Sequence, residues 1–420
     1  MKDNLTQTFD VIVIGGGPSG MMAAGRAAEL GASVLLLEKN ESLGKKLRIT
    51  GGGRCNITNE TYDVRVLTEK YGKKGKFLFP AFSRFDVAAT LEFFHTRGLP
   101  TVTEAENRVF PASFRADDVW GVMVQYIFEN KVAIYYNTDI EGLLVENKMV
   151  VGVRMHGQSV RARKVIVATG GSSRPETGST GDGFRWLQDI GHMLTEPDRA
   201  LVPVTIQDPW VKSLQGMSLQ HAKLSIVHRG KKVKGMEGKL LFTHFGISGP
   251  LVLNMSRDIR EYFTKRKTQL SLDIFPNTER SILDEKLLKI ISEKSNTKVK
   301  NALKEFVTPA IVDVLCDLAH INGEKYAREM TRSERQICID SVKDMRMTPS
   351  GFLGMDKAVV SSGGVDVREV DFKTMQSRLY PSLYLVGDIL DFNRPSGGYS
   401  LQICWTTGRL AGESAVKSLM

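Results

Sequence analysis

A glycine-rich turn between two apolar segments constrains this chain more than any other feature of its sequence. Phe9–Ile14 is continuously apolar, as expected of a parallel strand that helices cover on both faces. Gly15–Gly20 follows with the pattern G-x-G-x-x-G, and the Ala-rich segment Met21–Leu30 predicts a helix. Ser33–Leu37 predicts a second buried strand. The chain is therefore expected to contain a βαβ unit here.

The residues of this turn predict a bound dinucleotide. Gly15 permits the tight turn, Gly17 lets the backbone approach a pyrophosphate, and Gly20 allows the helix and strand to pack closely. The free N–H groups at the helix N-terminus favour a diphosphate. Glu38 ends the second strand, where its carboxylate can accept hydrogen bonds from ribose hydroxyls and repels a 2′-phosphate. FAD or NAD is predicted, and NADP is not.

Two later motifs favour FAD over NAD. Gly387-Asp388 follows the apolar segment Leu383–Val386 and resembles the second flavin fingerprint of the glutathione-reductase-like superfamily. Val165–Gly171 resembles the motif that ends the β-meander strand in those flavoproteins. No second strand–GxGxxG–helix pattern is found, and Thr177–Gly183 is interpreted as a surface loop. We expect tightly bound, non-covalent FAD, with NAD(P)H as a transient reductant that has no domain of its own.

The middle of the chain predicts an insertion. Val132–Val153 predicts a β-meander that leads into the strand Lys164–Val167. Leu201–Ile274 alternates β-branched and polar residues, which is typical of a small all-β domain of barrel type. Thr278–Val342 has helical periodicity, with Asn277 or Thr278 as cap of a first helix whose apolar face is formed by Leu283, Leu287, Leu288 and Ile291.

These segments predict an α/β fold whose parent domain is discontinuous. A strand at Ala358–Val360, a second at Leu383–Val386 and a helix over Ser400–Ser418 would complete the first sheet after the insertion. The predicted domains are a glutathione-reductase-like, Rossmann-type FAD-binding domain, an inserted β-barrel-like domain and a small helical insert, over residues 1–195 with 355–420, 196–276 with 343–354, and 277–342 respectively.

Longer sequence strings narrow the family. They are Thr50–Asn59 (TGGGRCNITN), Leu241–Pro250 (LFTHFGISGP), Ser362–Val365, Gly387–Asp391 and Gly397–Gln402. Together they resemble the BaiN/RdsA (YhiN-like) family of NAD(P)/FAD-dependent oxidoreductases over essentially the whole chain. Many relatives carry Glu at Asp388 and Asn at Ser400, and both differences are conservative for a contact to flavin oxygens.

The motifs and the resemblance together imply a set of FAD contacts. These residues are Gly15, Gly17, Pro18, Ser19, Gly20, Glu38, Lys39, Gly52, Gly53, Arg54, Cys55, Asn56, Ile140, Ala168, Thr169, Gly170, Gly387, Asp388, Gly398, Tyr399, Ser400 and Leu401. Arg54 is interpreted as a partner of a phosphate or a flavin carbonyl.

Cys55 and His244 are the candidate catalytic residues. Disulfide reductases of the superfamily carry a second Cys five residues after the first, where this chain has Glu60, so no dithiol relay is expected. A packed thiol beneath the flavin is the favoured interpretation of Cys55, because a reactive thiolate needs a lowered pKa. His244 is either an acid near the flavin or a structural residue of the turn Thr243–Gly249.

Charge indicates a polyanionic partner, with an ordinary basic surface as the alternative. The net charge is +10, which attracts phosphate backbones. Basic clusters occur at Lys45–Arg48, Lys73–Lys76, Arg161–Lys164, Lys231–Lys239 and Lys265–Lys267. The four widely spaced cysteines have no metal-ligand spacing, so free thiols, a reducing cytoplasm and no structural metal are expected. No membrane span or signal peptide is visible.

Three functions remain open from the sequence. The first, which the family resemblance implies and the basic insert supports, is hydride transfer from reduced flavin to an activated C=C bond, with uridine in 23S rRNA as substrate and dihydrouridine as product. The second is a small-molecule reductase or oxidase that uses the same chemistry without RNA. The third is a non-catalytic FAD-bound sensor or assembly factor. RNA binding separates the first two, and flavin turnover separates both from the third.

Overall fold

The computed structural model describes residues 8–195, 202–264, 268–353 and 363–420. Contacts divide the chain into a Rossmann unit, Met1–Arg199 with Ala358–Met420, and an inserted unit, Ala200–Lys357. The expected strand Ala358–Val360, the motif residue Ser362 and the basic cluster Lys265–Lys267 lie outside the described residues. Among the residues that are described, no helix has the length and apolar character needed to span a membrane.

The Rossmann unit contains helices and strands from both ends of the chain. They are β1 (Phe9–Ile14), α1 (Pro18–Glu29), β2 (Val34–Leu37), α2 (Lys45–Arg48), β3 (Thr58–Asn59), α3 (Val64–Glu69), α4 (Phe79–Phe82), α5 (Val87–His95), β4 (Thr101–Glu104), β5 (Arg108–Pro111), α6 (Ala116–Glu129), β6 (Ala133–Tyr135), β7 (Ile140–Glu146), β8 (Met149–Met155), β9 (Gln158–Val167), α7 (Asp182–Asp189), β10 (Leu194–Thr195), β18 (Gly364–Val365), β19 (Val370–Asp371), β20 (Gln376–Ser377), β21 (Leu383–Leu385) and α14 (Tyr399–Lys417).

The main sheet of this unit has the order β19-β20-β21-β9-β1-β2-β6. β1 is an interior strand, between and parallel to β2 and β9, and β21 returns from the end of the chain to pair in parallel with β9. β7, β8 and β9 form an antiparallel meander, as the sequence predicts, but it starts at Ile140 and not at Val132, because β6 pairs in parallel with β2. The helix after the turn begins at Pro18, earlier than the expected Met21, because proline is favoured at the first helical position.

The last helix of the chain packs directly against the first. A Cβ added at Gly408 of α14 would lie 2.4 Å from the Ser19 carbonyl oxygen, and one at Gly412 would lie 2.4 Å from that of Ala23. Only glycine allows two helices to approach this closely. The contact places the N-terminal end of α14 in the same layer as the glycine-rich turn.

The inserted unit is a seven-stranded antiparallel sheet with helices against it, in the order β16-β15-β12-β13-β14-β11-β17. Its elements are β11 (Val204–Ile206), α8 (Pro209–Ser213), β12 (Ser218–His228), β13 (Lys231–Thr243), β14 (Gly246–Ser248), α9 (Pro250–Phe263), β15 (Thr268–Asp273), α10 (Arg280–Glu293), α11 (Val299–Leu303), α12 (Pro309–Ala319), α13 (Arg332–Lys343), β16 (Met345–Met347) and β17 (Pro349–Phe352). The sheet and these helices share one hydrophobic core.

Three details of the inserted unit differ from the sequence-based expectation. The segment expected to be all-β contains α9, which starts at Pro250 and buries an apolar face with helical spacing. The cap of α10 is Glu279, which makes no side-chain capping bond, so the expected cap at Asn277 or Thr278 is wrong. Leu288, expected on the buried face, is 46% exposed, and Ile290 is buried in its place.

Candidate flavin site

The glycine-rich turn of the Rossmann unit has the geometry that a dinucleotide requires. Gly15 has φ +102°, and its N–H donates to the Leu37 carbonyl oxygen at 2.8 Å. A Cβ at Gly20 would lie 1.8 Å from the Gly15 carbonyl oxygen, whereas a Cβ at Gly17 would meet nothing within 4 Å. No side chain caps the N-terminus of α1. Its first N–H groups therefore face open space at Gly17, where an anion is stabilised.

Glu38 is buried beside this turn and already binds the protein. Its Oε2 accepts from the Gly16 N–H at 2.7 Å, and its Oε1 accepts from the Asn40 backbone and side-chain amides, each at 2.7 Å. A carboxylate has about four acceptor positions, so one remains for a ribose hydroxyl. The ribose contact stays a prediction, and Glu38 also holds the turn in place.

The second and third flavin motifs meet the first one. A Cβ at Gly387, where φ is +71°, would lie 2.6 Å from Ser19 Oγ. A Cβ at Gly15 would lie 2.6 Å from the Ala168 carbonyl oxygen, and the Ala168 N–H donates to the Ile14 carbonyl oxygen at 2.9 Å. The folded chain thus brings the turn, the end of β9 and the end of β21 to one place.

The N-terminus of α14 joins the same region through the TGGGRCN loop. A Cβ at Gly398, where φ is +98°, would lie 2.4 Å from the carbonyl group of Thr58. In its hydrogen-bonded orientation the Asn56 amide accepts from the Gly398 N–H at 3.0 Å and donates to the Thr58 carbonyl oxygen at 2.8 Å. Tyr71 donates to the Tyr399 carbonyl oxygen at 2.9 Å. Leu401, in the first turn of α14, is buried.

Three buried polar atoms without hydrogen bonds lie in the predicted FAD motifs. Within the described part of the chain, Thr169 Oγ1 and Ser400 Oγ are buried and make no hydrogen bond, and Asp388 Oδ1 accepts no hydrogen bond although it lies in an ion pair. A buried polar group without a partner is destabilising, so native proteins rarely keep one. All three atoms belong to predicted FAD motifs, and FAD offers hydroxyl, carbonyl and phosphate groups that would satisfy them. The residues present therefore fit the cofactor.

Two cations flank Asp388, and sequence reasoning did not assign either of them to the site. Lys46 Nζ lies 3.6 Å from Asp388 Oδ2 and donates to Ser173 Oγ at 2.8 Å. Arg394, whose side chain is fully buried, lies 3.4 Å from Asp388 Oδ1 and also donates to the Leu390 carbonyl oxygen. In the sequence, Lys46 belongs to a basic cluster, which is typical of a surface. Arg394 directly precedes a proline, which is typical of a loop. Their positions beside the second flavin motif, with Arg394 buried and Lys46 partly exposed, depend on the tertiary fold.

Of the remaining predicted FAD contacts, Lys39 and Arg54 are paired with acidic residues of the Rossmann unit. Lys39 Nζ pairs with Asp182 at 2.8 Å. Arg54 donates to Glu104 at 2.9 Å, and its guanidinium lies 4.3 Å from the centre of the Phe110 ring. Gly52 and Gly53 are exposed, Gly170 follows β9 with φ +73°, and Ile140 begins β7. Direct contacts of these residues with FAD stay predictions.

The two candidate catalytic residues lie in different environments. Cys55 is fully buried, and burial raises its thiol pKa to about 12 although a hydrogen bond with Thr50 lowers it. Burial therefore favours the packed-thiol interpretation over a thiolate. His244, in the inserted unit, is exposed between β13 and β14. Its ring packs edge-on against Phe245 at 4.9 Å, and it makes no hydrogen bond to any residue that the structure describes.

The family profile described as "HI0933-like protein Rossmann domain" matches residues 9–414. The chain belongs to this family. Its relatives include a 3-dehydro-bile acid delta(4,6)-reductase of Clostridium scindens, which is 31% identical over 96% of this chain and 98% of that protein. The ribosomal RNA dihydrouridine synthase of Escherichia coli is 26% identical over 96% of each chain.

The fold of this HI0933-like protein is also found among solved flavoenzymes. A 3-ketosteroid delta1-dehydrogenase from Sterolibacterium denitrificans has a TM-score of 0.58 at 15% identity, over 98% of this chain and 100% of that one. The predicted family, Rossmann-type fold class, FAD cofactor and oxidoreductase class are confirmed.

Proposed function

We propose that this protein transfers hydride from reduced FAD to the activated C=C bond of a uridine in ribosomal RNA, which gives dihydrouridine. Two of its relatives carry names that describe reductions of this kind, a delta(4,6)-reductase and a dihydrouridine synthase. The cofactor supplies the hydride chemistry, while the protein supplies binding, orientation and a proton. We further propose NAD(P)H as the reductant and a reducing, cytoplasmic location, which the four free, buried cysteines support.

The charge of the inserted unit is the observation that carries the RNA assignment. Ala200–Lys357 contains 26 Lys and Arg against 18 Asp and Glu, so its net charge is +8 of the total +10. The hairpin of β12 and β13 is the most basic part of this unit and contains six Lys and Arg but one acidic residue, Glu237. A basic surface of this kind attracts a phosphate backbone.

Ion pairs divide the hairpin's cations into two groups. Lys223, Lys232 and Lys234 pair with Glu237, Asp344 and Asp258 at 3.5, 3.2 and 2.7 Å respectively. Arg229, Lys231 and Lys239 form no ion pair with the described residues. These three are the cations that we propose to contact phosphate.

We propose His244 as the acid that protonates C5 after hydride reaches C6. A structural histidine is normally hydrogen-bonded, whereas the turn after β13 is held by Thr243 Oγ1, which donates to the Gly246 carbonyl oxygen at 3.1 Å. The exposed imidazole of His244 is therefore available for a substrate. An imidazole titrates near neutral pH, as a general acid requires.

A small-molecule enone is the second candidate substrate. One observation favours it: the bile acid reductase shares more residues with this chain, 31%, than the dihydrouridine synthase of Escherichia coli does, 26%. The same hydride chemistry would then act on a conjugated ketone, and the basic hairpin would be an ordinary solvated surface.

Dihydrouridine in ribosomal RNA tests the substrate. The RNA of a strain that lacks the gene is compared with that of the same strain expressing the wild-type protein, by mass spectrometry of nucleosides. We expect one dihydrouridine to be absent without the gene and restored by its expression. Unchanged dihydrouridine, together with rapid flavin reoxidation by a cyclic enone, would establish the second candidate. A protein whose flavin turns over with neither substrate would contradict both.

A further inference from the structure

An exposed aromatic ring and an arginine share one surface of the Rossmann unit, and apart from the predicted FAD contact of Arg54 the proposed function uses neither. Phe114 precedes α6, is 39% exposed and has φ +54°. Bulky side chains rarely adopt this left-handed conformation, which strains the backbone. Strained residues of this kind cluster at functional sites, where the surrounding structure imposes the conformation.

Arg54 completes this surface. Its guanidinium carbon lies 4.3 Å from the centre of the Phe110 ring and 5.7 Å from that of Phe114. Nη1 donates to Glu104, and the side chain is 40% exposed. Its Nε and Nη2 groups make no hydrogen bond with the residues that the structure describes. The plane of the guanidinium is therefore fixed on one side, while donors remain for another molecule.

Backbone contacts fix this surface beside the candidate flavin site. The Ala116 N–H donates to the Gly53 carbonyl oxygen at 2.8 Å, which attaches the loop before Arg54 to the start of α6. Two residues later in the chain, Asn56 accepts from the Gly398 N–H at the start of α14. The same short loop thus reaches both Phe114 and a predicted flavin motif.

We propose that Arg54 and Phe114 form a stacking platform for a planar base of the polynucleotide substrate, an inference that rests on the proposed function. Unstacked bases bind proteins by stacking on aromatic rings and arginine planes. The remaining N–H groups of Arg54 can donate to the carbonyl oxygens of a uracil that stacks on the Phe114 ring beside it. Long-range attraction of the phosphates by a chain of net charge +10 supports the same partner.

The test compares two single strands that have the same number of phosphates, oligouridine and an abasic oligomer. Their binding to the FAD-loaded protein is measured by fluorescence anisotropy at one ionic strength. We expect the wild type to prefer oligouridine and Phe114→Ala to bind it about 5- to 150-fold more weakly, from about 1–3 kcal/mol per stacked base. Affinity for the abasic strand should not change.

Three further variants distinguish the loss of the aromatic ring from an effect on folding. Phe114→Gly, which accepts the left-handed backbone without strain, should show the same weakening with an unchanged Tm. Phe114→Tyr should keep the preference for oligouridine. Phe128→Ala removes another exposed aromatic of the Rossmann unit, on α6, and should bind as the wild type does.

Several outcomes would overturn the platform. They are a wild type that binds both strands equally, a Phe114→Ala variant that keeps its preference, and a variant that weakens equally on both strands. If Phe114→Ala raises the KM for a cyclic enone and leaves the affinity for oligouridine unchanged, the surface binds a small molecule instead. If ribosomal RNA contains no enzyme-dependent dihydrouridine but Phe114→Ala abolishes base preference, the proposed function fails and the platform stands.

Discussion

The two units of this chain differ in how they use charge. The Rossmann unit contains 31 Lys and Arg against 29 Asp and Glu, whereas the inserted unit contains 26 against 18. The nearly neutral unit contains the predicted site of an anionic cofactor. It combines backbone N–H groups that no side chain caps with two individually placed cations, Lys46 and Arg394. Binding of one defined ligand thus depends on the placement of individual groups. The net positive charge of the inserted unit, by contrast, attracts a polyanion as a whole.

The largest effects are expected from replacing glycines of the glycine-rich turn, because cofactor binding by the Rossmann unit depends on close packing there. A Cβ at Gly20 would lie 1.8 Å from the Gly15 carbonyl oxygen, so backbone must move. We expect Gly20→Val to lose FAD and to lower the Tm strongly, since overpacking costs about 1–3 kcal/mol or more. Gly17→Val should lose FAD while the apoprotein keeps its Tm, because a side chain there has room. Full FAD content in Gly17→Val would contradict the assigned turn.

The next largest effect concerns His244 of the inserted unit. General acid catalysis contributes about 10²–10⁴-fold, so His244→Asn should slow substrate reduction by that factor in single-turnover experiments. FAD content and flavin reduction by NAD(P)H should match the wild type. A fall in Tm with a normal oxidative half-reaction would instead assign His244 to the structure of the turn.

The sequence predicts the two units unequally, and the reason is physical. Strands such as β1 are buried on both faces and bounded by glycines, so a local pattern determines them. α9 was missed because its apolar face becomes visible only when the segment is read with helical periodicity from Pro250 onwards. Leu288 of α10 is an apolar residue of the kind found in a core, but the face of α10 that is buried is set by the helices α11 and α13 that pack against it.

The site divides in the same way. The glycines and Glu38 could be assigned from sequence because each has a local steric or hydrogen-bonding reason. Arg394 could not, because its burial against Asp388 depends on the conformation of the segment between β21 and α14. The orphaned hydroxyls of Thr169 and Ser400 are likewise visible only in the folded chain.

A moderate effect is expected from the basic hairpin. If Arg229, Lys231 and Lys239 contact phosphates, their replacement by Gln should weaken RNA binding and flatten the dependence of log K on log salt. The slope should fall by about 0.7–0.9 for each phosphate that the variant no longer neutralises. Lys232→Gln with Lys234→Gln is the matched control, because these lysines are already paired with acidic residues. Equal effects in both variants would show that the hairpin attracts RNA only through its overall charge and not through these three side chains.

The smallest expected effect is a pH dependence of stability that arises in the Rossmann unit. His192 of the Rossmann unit is buried, with Nδ1 2.7 Å from Glu369 and Nε2 3.1 Å from Ser377 Oγ, beside the Tyr380 ring. Burial lowers its pKa below 6.5 although Glu369 raises it. The unfolded chain therefore binds the proton more readily, so the free energy of unfolding falls as pH drops from 6.5 towards the folded pKa.

This decrease can be measured and assigned to one residue. One proton gives a slope of at most about 1.4 kcal/mol per pH unit, so urea unfolding of the FAD-loaded protein at closely spaced pH values is required. His192→Gln should flatten the profile below pH 6.5, while His95→Gln, at an exposed position, should leave it unchanged. A profile that keeps its slope in His192→Gln would show that the acid sensitivity of the Rossmann unit arises elsewhere. A flattened profile, with RNA affinity unchanged, would assign this part of the pH dependence to the Rossmann unit and not to the basic surface.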